Sequence, residues 1–241
     1  MKFEKIQNID PNNDQTWRNR LFLTFDIDWA HDDLINESID LVEKHSVSAT
    51  WFITHKTKVL DRLRENPSFE LGIHPNFNPL SELHDEKPKS NVEIIENLLE
   101  IVPEAKSVRS HSMHQSSRLQ DLFKAMGLTH EANHFVPEQS GIVLKPWLLW
   151  NGLIKVPHFW EDDITALYGT FENFAELRKR GGLCVYDFHP IHVFTNMHLI
   201  QDYEKIKHIQ REPARLRLER NTSNLGSRDA LNTLLSWSKE Q

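Results

Sequence analysis

Leu21-Phe22-Leu23-Thr24-Phe25 is a short apolar run interrupted only by a threonine, and Asp26-Ile27-Asp28 follows it directly. A run of this length, rich in aromatic and aliphatic side chains, reads as a strand buried on both faces. Beyond it, Leu34, Ile35, Ile39, Leu41 and Val42 fall at helical spacing, with Asp32 and Asp33 placed to cap that helix and oppose its dipole. The alternation continues. Strands are expected over 49–54 and 69–73, with a short helix near 58–65 between them. A polar loop then leads to Ser90-x-x-Glu93, a capping box that opens a helix over 92–101. Val108 closes a short fourth strand. Ser117-x-x-Gln120 caps the next helix, which Gly127 ends. Strands near 152–156 and 183–188 flank a helix at 174–179, and an amphipathic helix runs over about 228–237. Strands and helices alternating in this way predict an α/β fold of parallel βαβ units, either closed into a barrel or open and doubly wound. No composition break marks a linker, so residues 1–241 are expected to form a single domain. The long stretch 136–150, with Trp147, Leu148, Leu149 and Trp150, reads as peripheral packing in preference to a lid.

The formal charge is −7, with Lys and Arg scattered, which argues against a nucleic-acid surface. No apolar run reaches the length of a membrane span, and the first residues show no signal-peptide pattern. The single cysteine, Cys184, lies in Leu183-Cys184-Val185-Tyr186 and reads as a small core residue. These features suit a reducing, cytoplasmic setting. Fourteen histidines are many for such a chain and invite a search for ligands and acid–base groups.

Asp26 and Asp28 stand two apart at a strand's end, which puts both carboxylates on one face. Two buried like charges need a cation or a shared proton, and a metal with one carboxylate as ligand and the other as base meets that need. Helix capping in a solvated loop is the plainer alternative. His74 ends the third strand in Gly72-Ile73-His74-Pro75-Asn76-Phe77-Asn78. Arg109-Ser110-His111-Ser112-x-His114 follows the fourth strand, and Asp187-Phe188-His189-Pro190-Ile191-His192 follows a late one. Carboxylate, imidazole and guanidinium groups thus gather at the C-terminal ends of four strands, where α/β folds build their sites. Pro157-His158-Phe159-Trp160-Glu161-Asp162-Asp163 also follows a predicted strand. Its aromatic residues suit a sugar platform or a core, and an acid there is in range to orient Arg109 or a histidine.

With these segments in place, the chain resembles the polysaccharide deacetylases of carbohydrate esterase family four. Thr24-Phe25-Asp26-Ile27-Asp28 looks like their first motif, and His74, Arg109 and His189 fall in the order of the second, third and fifth. The resemblance runs from about Leu21 to Phe194. It is nearest to a divergent branch associated with surface-polysaccharide and O-antigen biosynthesis, through the Gly-Ile-His-Pro-Asn-Phe and Asp-Phe-His-Pro-Ile-His segments. Three departures stand out. Ile27 separates aspartates that are usually adjacent, Asn78 stands where a second histidine is usual, and Ser110, His111 and Ser112 replace the usual continuation after the arginine.

The resemblance implies a distorted (β/α)7 barrel and a metal-dependent hydrolase that removes the acetyl group from an N-acetylated sugar; a cytoplasmic setting makes a nucleotide-linked or lipid-linked sugar the expected substrate. It implies Asp28 and His74 as metal ligands, Asp26 as base, Arg109 holding Asp26, and His189 as acid. For the third ligand His111 is preferred to Asn78, because imidazole binds Zn2+-like ions better than a neutral amide. Zn2+ is the expected ion, with Co2+, Ni2+, Mn2+ or Fe2+ as alternatives. Trp160, Glu161 and Asn78 are the expected substrate contacts. The rival readings are a carbohydrate-binding barrel without catalysis and a metal hydrolase acting on another acyl or phosphate group.

Overall fold

The computed structural model describes residues 1–78 and 89–239. Most of the polar loop expected before Ser90 lies outside the described residues. Among the described residues ten strands form one sheet: β1 (Lys2–Phe3), β2 (Arg20–Asp26), β3 (Ala49–Ile53), β4 (Phe69–Ile73), β5 (Ser107–Val108), β6 (His130–Glu131), β7 (Trp147–Leu148), β8 (Ile154–Lys155), β9 (Trp160–Glu161) and β10 (Cys184–Phe188). Interleaved with them are α1 (Asp32–Glu43), α2 (Leu60–Glu65), α3 (Asn91–Ile101), α4 (Ser117–Ala125) and α5 (Asp162–Tyr168). After β10 come α6 (Pro190–Thr195), α7 (Ile200–Ile206), α8 (Pro213–Leu218) and α9 (Ser227–Ser236).

Parallel pairing runs from β10 through β2, β3, β4 and β5 to β6. One extended stretch, residues 154–161, closes the ring. At its start β8 pairs with β6, in the middle His158 bridges to Phe135, and at its end β9 pairs with β10. Seven strands therefore go round: β2 to β6, the 154–161 stretch, and β10. This is a distorted (β/α)7 barrel, with β1 added beside β2 and β7 antiparallel on β8. Among the described residues no helix is long and apolar enough to cross a membrane.

Several local expectations are corrected by the backbone. His31, not Asp32 or Asp33, caps α1, its Nδ1 accepting from the Asp33 N–H at 3.2 Å, while both aspartates occupy the first turn. Ser116 caps α4 instead of Ser117, its Oγ accepting from the Leu119 N–H at 3.3 Å. The capping box of Ser90 and Glu93 is present. The helix expected at 174–179 is a 3-10 helix spanning Phe171–Lys179. Three residues per turn align Phe171 and Phe174 on one edge, and both meet the Trp160 ring, at 6.4 and 4.8 Å between centroids. In the stretch 136–150, Leu144 is buried and Leu149 packs on the core, whereas Leu148 and Trp150 are exposed.

Register explains how the barrel interior becomes polar. Asp187, Thr24, Thr50 and Glu70 are cross-strand partners on β10, β2, β3 and β4, so their side chains form one row on one face. Thr24 Oγ1 donates to Asp187 Oδ1 at 2.6 Å, Thr50 Oγ1 to Glu70 Oε2 at 2.8 Å, and Ser107 Oγ to Glu70 Oε1 at 2.6 Å. Two residues further along, Asp26, Phe52 and Gly72 form the next row. Gly72 is a glycine for want of room: a Cβ there would lie 2.6 Å from Ser107 Oγ and 2.8 Å from the Phe52 ring.

Gly72→Ala is expected to lower the free energy of unfolding by about 1–3 kcal/mol through overpacking, measured by urea denaturation. Unchanged stability would mean that the Phe52 ring is free to move aside.

Candidate active site and metal centre

At the C-terminal end of the barrel, three donor atoms converge. His74 Nε2 lies 3.2 Å from Asp28 Oδ1, His111 Nδ1 lies 3.2 Å from the same oxygen, and the two nitrogens are 3.4 Å apart. His74 follows β4, its N–H donating to the Ile53 carbonyl at 2.8 Å, and His111 follows β5, its N–H donating to the Pro75 carbonyl at 2.9 Å. The two aspartates converge on this place, though not by strand alternation. Asp26 ends β2, whereas Asp28 stands in a tight turn in which it and Trp29 are left-handed, at φ 37° and 54°. The Ala30 N–H closes that turn on the Ile27 carbonyl at 2.7 Å, and Trp29 N–H donates to Thr54 Oγ1 at 3.1 Å. The imidazole of His74 sits between the two carboxylates. Its Nδ1 comes within 3.4 Å of Asp26 Oδ2, without the alignment of a hydrogen bond.

Below this group lies Arg109, fully buried. Its Nη1 donates to Thr24 Oγ1 at 2.9 Å, to Asp26 Oδ1 at 3.1 Å and, more closely, to Asp187 Oδ1, and its guanidinium lies over the Phe52 ring at 4.7 Å. On the other side stands His189, the residue before α6. Its Nδ1 donates to Asp162 Oδ1 at 2.8 Å and its backbone N–H to Asp162 Oδ2 at 3.1 Å. His189 Nε2 faces Asp28 Oδ2 at 3.7 Å. His192 also turns its Nδ1 to Asp162 Oδ1, at 3.0 Å. Burial disfavours the charged His189 ring, but the Asp162 carboxylate beside it holds its pKa well above the ordinary histidine value. Asp162 itself is held below the usual carboxylate range, because its two imidazoles outweigh the burial that opposes its charge.

The expected substrate contacts fall in different places. Trp160 is only 4% exposed and is packed among Phe171, Phe174, Tyr186 and Phe188, so it offers no open face to a sugar. That reading of Trp160 is corrected: it is core. Glu161 borders the same cavity as Asp26, Asp28 and Arg109, but its carboxyl closes on His158 Nε2. Asn78 donates from Nδ2 to the Oγ of Ser112, a residue lining that cavity, at 3.3 Å. His114 lies against Phe77, 5.9 Å between centroids. Asp162 and Asp187 had no individual roles in the sequence reading. Their signal was there: Asp187 is an acid inside the apolar strand Cys184–Phe188, and Asp162 belongs to the acidic run after Trp160.

The sequence model of one protein family, described as WbmS-like polysaccharide deacetylase, matches residues 23–207. The chain belongs to that family. A solved structure from Bordetella bronchiseptica, a candidate polysaccharide deacetylase involved in O-antigen biosynthesis, is 42% identical to it with a TM-score of 0.91, covering 98% of each chain. The barrel is thus of the polysaccharide deacetylase type. Two further structures share 12% and 13% identity. One is a CE4 family pseudoenzyme from Bacillus anthracis, with a TM-score of 0.47 over 92% of this chain and 63% of that one. The other is the Xyl-CE4 domain of a multidomain xylanase from the hindgut metagenome of Trinervitermes trinervoides, with 0.42 over 84% and 85%. Both likenesses are too remote to bear on the site. The comparison with curated proteins finds no match.

Burial pushes the Asp187 carboxyl up to about 7, against the pull of Arg109. The folded chain therefore holds this proton more tightly than the unfolded chain, whose aspartates titrate near ~3.9. The resulting stabilisation is complete below about pH 4 and is lost as the pH rises through about 7. Asp187→Asn should flatten that decline, which urea unfolding at a series of pH values would read. A slope equal to that of the wild type would show that Asp187 is not its source.

Proposed function

We propose that this chain is a metal-dependent deacetylase that hydrolyses the acetamide of an N-acetylated sugar, nucleotide-linked or lipid-linked, in the assembly of a surface polysaccharide such as O-antigen. The observation that carries this reading is the triangle of Asp28 Oδ1, His74 Nε2 and His111 Nδ1, with edges of 3.2, 3.2 and 3.4 Å, standing between Asp26 and His189. A tetrahedral ion with bonds of ~2.0–2.2 Å needs ligand atoms roughly 3.3–3.6 Å apart, so the donors fit. Two imidazole nitrogens and one carboxylate oxygen are also a donor set suited to Zn2+, with Co2+, Ni2+, Mn2+ or Fe2+ as alternatives. The third ligand in this reading is His111. Asn78 instead engages Ser112.

When bound there, the ion polarises the acetyl carbonyl and lowers the pKa of water towards ~7. The chain's own groups do the rest. Asp26, fixed by Arg109, accepts the proton of the attacking water; its other oxygen faces His74. The backbone N–H of Ser112, a left-handed residue at φ 56° bordering the cavity, is the proposed donor to the oxyanion. His189 then gives its Nε2 proton to the departing nitrogen, because an amide anion is a very poor leaving group. Asp162 fixes its tautomer through Nδ1 and keeps it charged until that step. A cytoplasmic pool of precursor sugars suits a chain whose one cysteine, Cys184, is buried and unpaired.

Two measurements test this. Elemental analysis should find near-stoichiometric metal in the wild type and little in His74→Ala, His111→Ala or Asp28→Ala. His189→Ala should keep its metal while acetate release from N-acetylated sugars falls by roughly 10²–10⁴-fold. A wild type that takes up no metal when Zn2+, Co2+ or Ni2+ is offered would end the hydrolase reading. Metal lost from His189→Ala would move that histidine into the ligand set.

A further inference from the structure

The reaction centre accounts for one cavity, and a second opens beside it. A cleft of about 280 Å³ shares Asp28, His111, Asp163 and His189 with the reaction centre and continues between Trp29 and α7. Its size falls just below the ~300–1,000 Å³ usual for ligand clefts and suits one small ring system. The mechanism uses none of the groups that form its far end: Trp29, His192, Tyr203 and Gln210.

These groups are held, not loosely arrayed. Asp162 takes the Nδ1 of His192 at 3.0 Å, which fixes the tautomer so that Nε2 remains for another partner. The Tyr203 ring stands edge-on to His192, with centroids 5.6 Å apart at 83°. Its hydroxyl is 3.4 Å from Gln210 Oε1. Across the cleft Trp29 stands edge-on to His111, centroids 5.2 Å apart at 76°, in the strained turn that also carries Asp28. Aromatic rings beside hydrogen-bonding groups are the chemistry that receives a pyranose, whose C–H faces are apolar and whose hydroxyls are not. Trp160, buried elsewhere, leaves that part to Trp29 and Tyr203.

Building on the deacetylase reading, we infer that this cleft is the subsite for a single pyranose ring, the one that carries the acetamide, with Tyr203 and Trp29 as its walls and His192 and Gln210 as its hydroxyl partners. The chain then acts on an amino sugar presented as a single or terminal unit, and neighbouring sugars of a polymer add little to binding.

The probes are the methyl glycosides of N-acetylglucosamine and N-acetylgalactosamine, and the β-1,4-linked tetramer of N-acetylglucosamine. Each is offered to the metal-loaded protein, with calorimetric binding and acetate release measured separately. At least one monosaccharide glycoside should bind the wild type within about threefold of the tetramer. Tyr203→Ala should weaken that binding about tenfold, roughly the worth of one aromatic contact, and raise KM with kcat and metal content little changed. Tyr203→Phe should recover most of it. Binding that depends on Tyr203 without acetate release would overturn the hydrolase reading and uphold the subsite. Acetate release with KM indifferent to Tyr203→Ala, or a tetramer preferred a hundredfold, would overturn the subsite and uphold the hydrolase. No binding of any probe would overturn the subsite.

Discussion

A permanent charge buried inside the barrel is the constraint around which the rest is arranged. The Arg109 guanidinium has left water, and in a low-dielectric interior that is costly unless partners are fixed around it. Thr24, Asp26 and Asp187 meet its Nη1 and the Phe52 ring lies beneath it. Those partners come from β2, β3 and β10, so the charge enforces the mutual register of the strands that carry the site. Phe52 needs the space that Gly72 leaves. A residue with no Cβ on β4 thereby bears on how Asp26 is held on β2, two strands away.

The donor triangle depends on a second device, strained backbone. Asp28 and Trp29 are left-handed, and so are Ser112 and Met113, at φ 56° and 52°. Each such residue costs roughly 1–2 kcal/mol relative to a relaxed conformation. Surrounding hydrogen bonds offset this. Thr54 receives the Trp29 N–H, and Asn133 holds Ser110 from both sides, its Oδ1 accepting from the Ser110 N–H at 2.5 Å and its Nδ2 donating to Ser110 Oγ at 3.0 Å. Strain of this kind persists where function requires a particular aim. Here one strained pair contains Asp28 and the other follows His111, the two donor residues contributed by turns. His74, which directly follows a strand, needs none.

How much of this was legible depended on length and polarity. β2, β3, β4 and β10 are long and apolar, and their positions could be read within a residue or so. β6 could not, because it is only His130 and Glu131, made tolerable in the interior by Lys155 Nζ on Glu131 at 2.7 Å and by His130 Nε2 bonding the Ile9 carbonyl at 2.9 Å. No hydrophobic pattern announces such a strand. The gathering of Asp28, His74, Arg109, His111 and His189 at one end was legible, since each follows a strand. What the sequence obscured was partnership. Two neighbours, Glu161 and Asp162, face different groups, and the aromatic run around Trp160 looks the same whether it lines a cleft or fills a core.

That last ambiguity has a chemical sequel. Among the imidazole–carboxylate pairs buried in the barrel, His189 with Asp162 and His158 with Glu161 are shifted in opposite senses. Burial and the nearby Arg109 charge push His158 well below the ordinary histidine value. Burial and the neighbouring Asp163 and Asp187 carboxylates raise Glu161 well above the ordinary range for a glutamate. Both shifts favour the uncharged form of their group. Beside His189, Asp162 is held below the usual carboxylate range because it faces two rings at once. Of the two histidines, His189 is the one whose surroundings favour the charged ring, and it stands beside Asp28. The choice between them rests on the charge each carboxylate carries, and a pair whose environments drive their protonation apart is how a fold separates an acid from its surroundings.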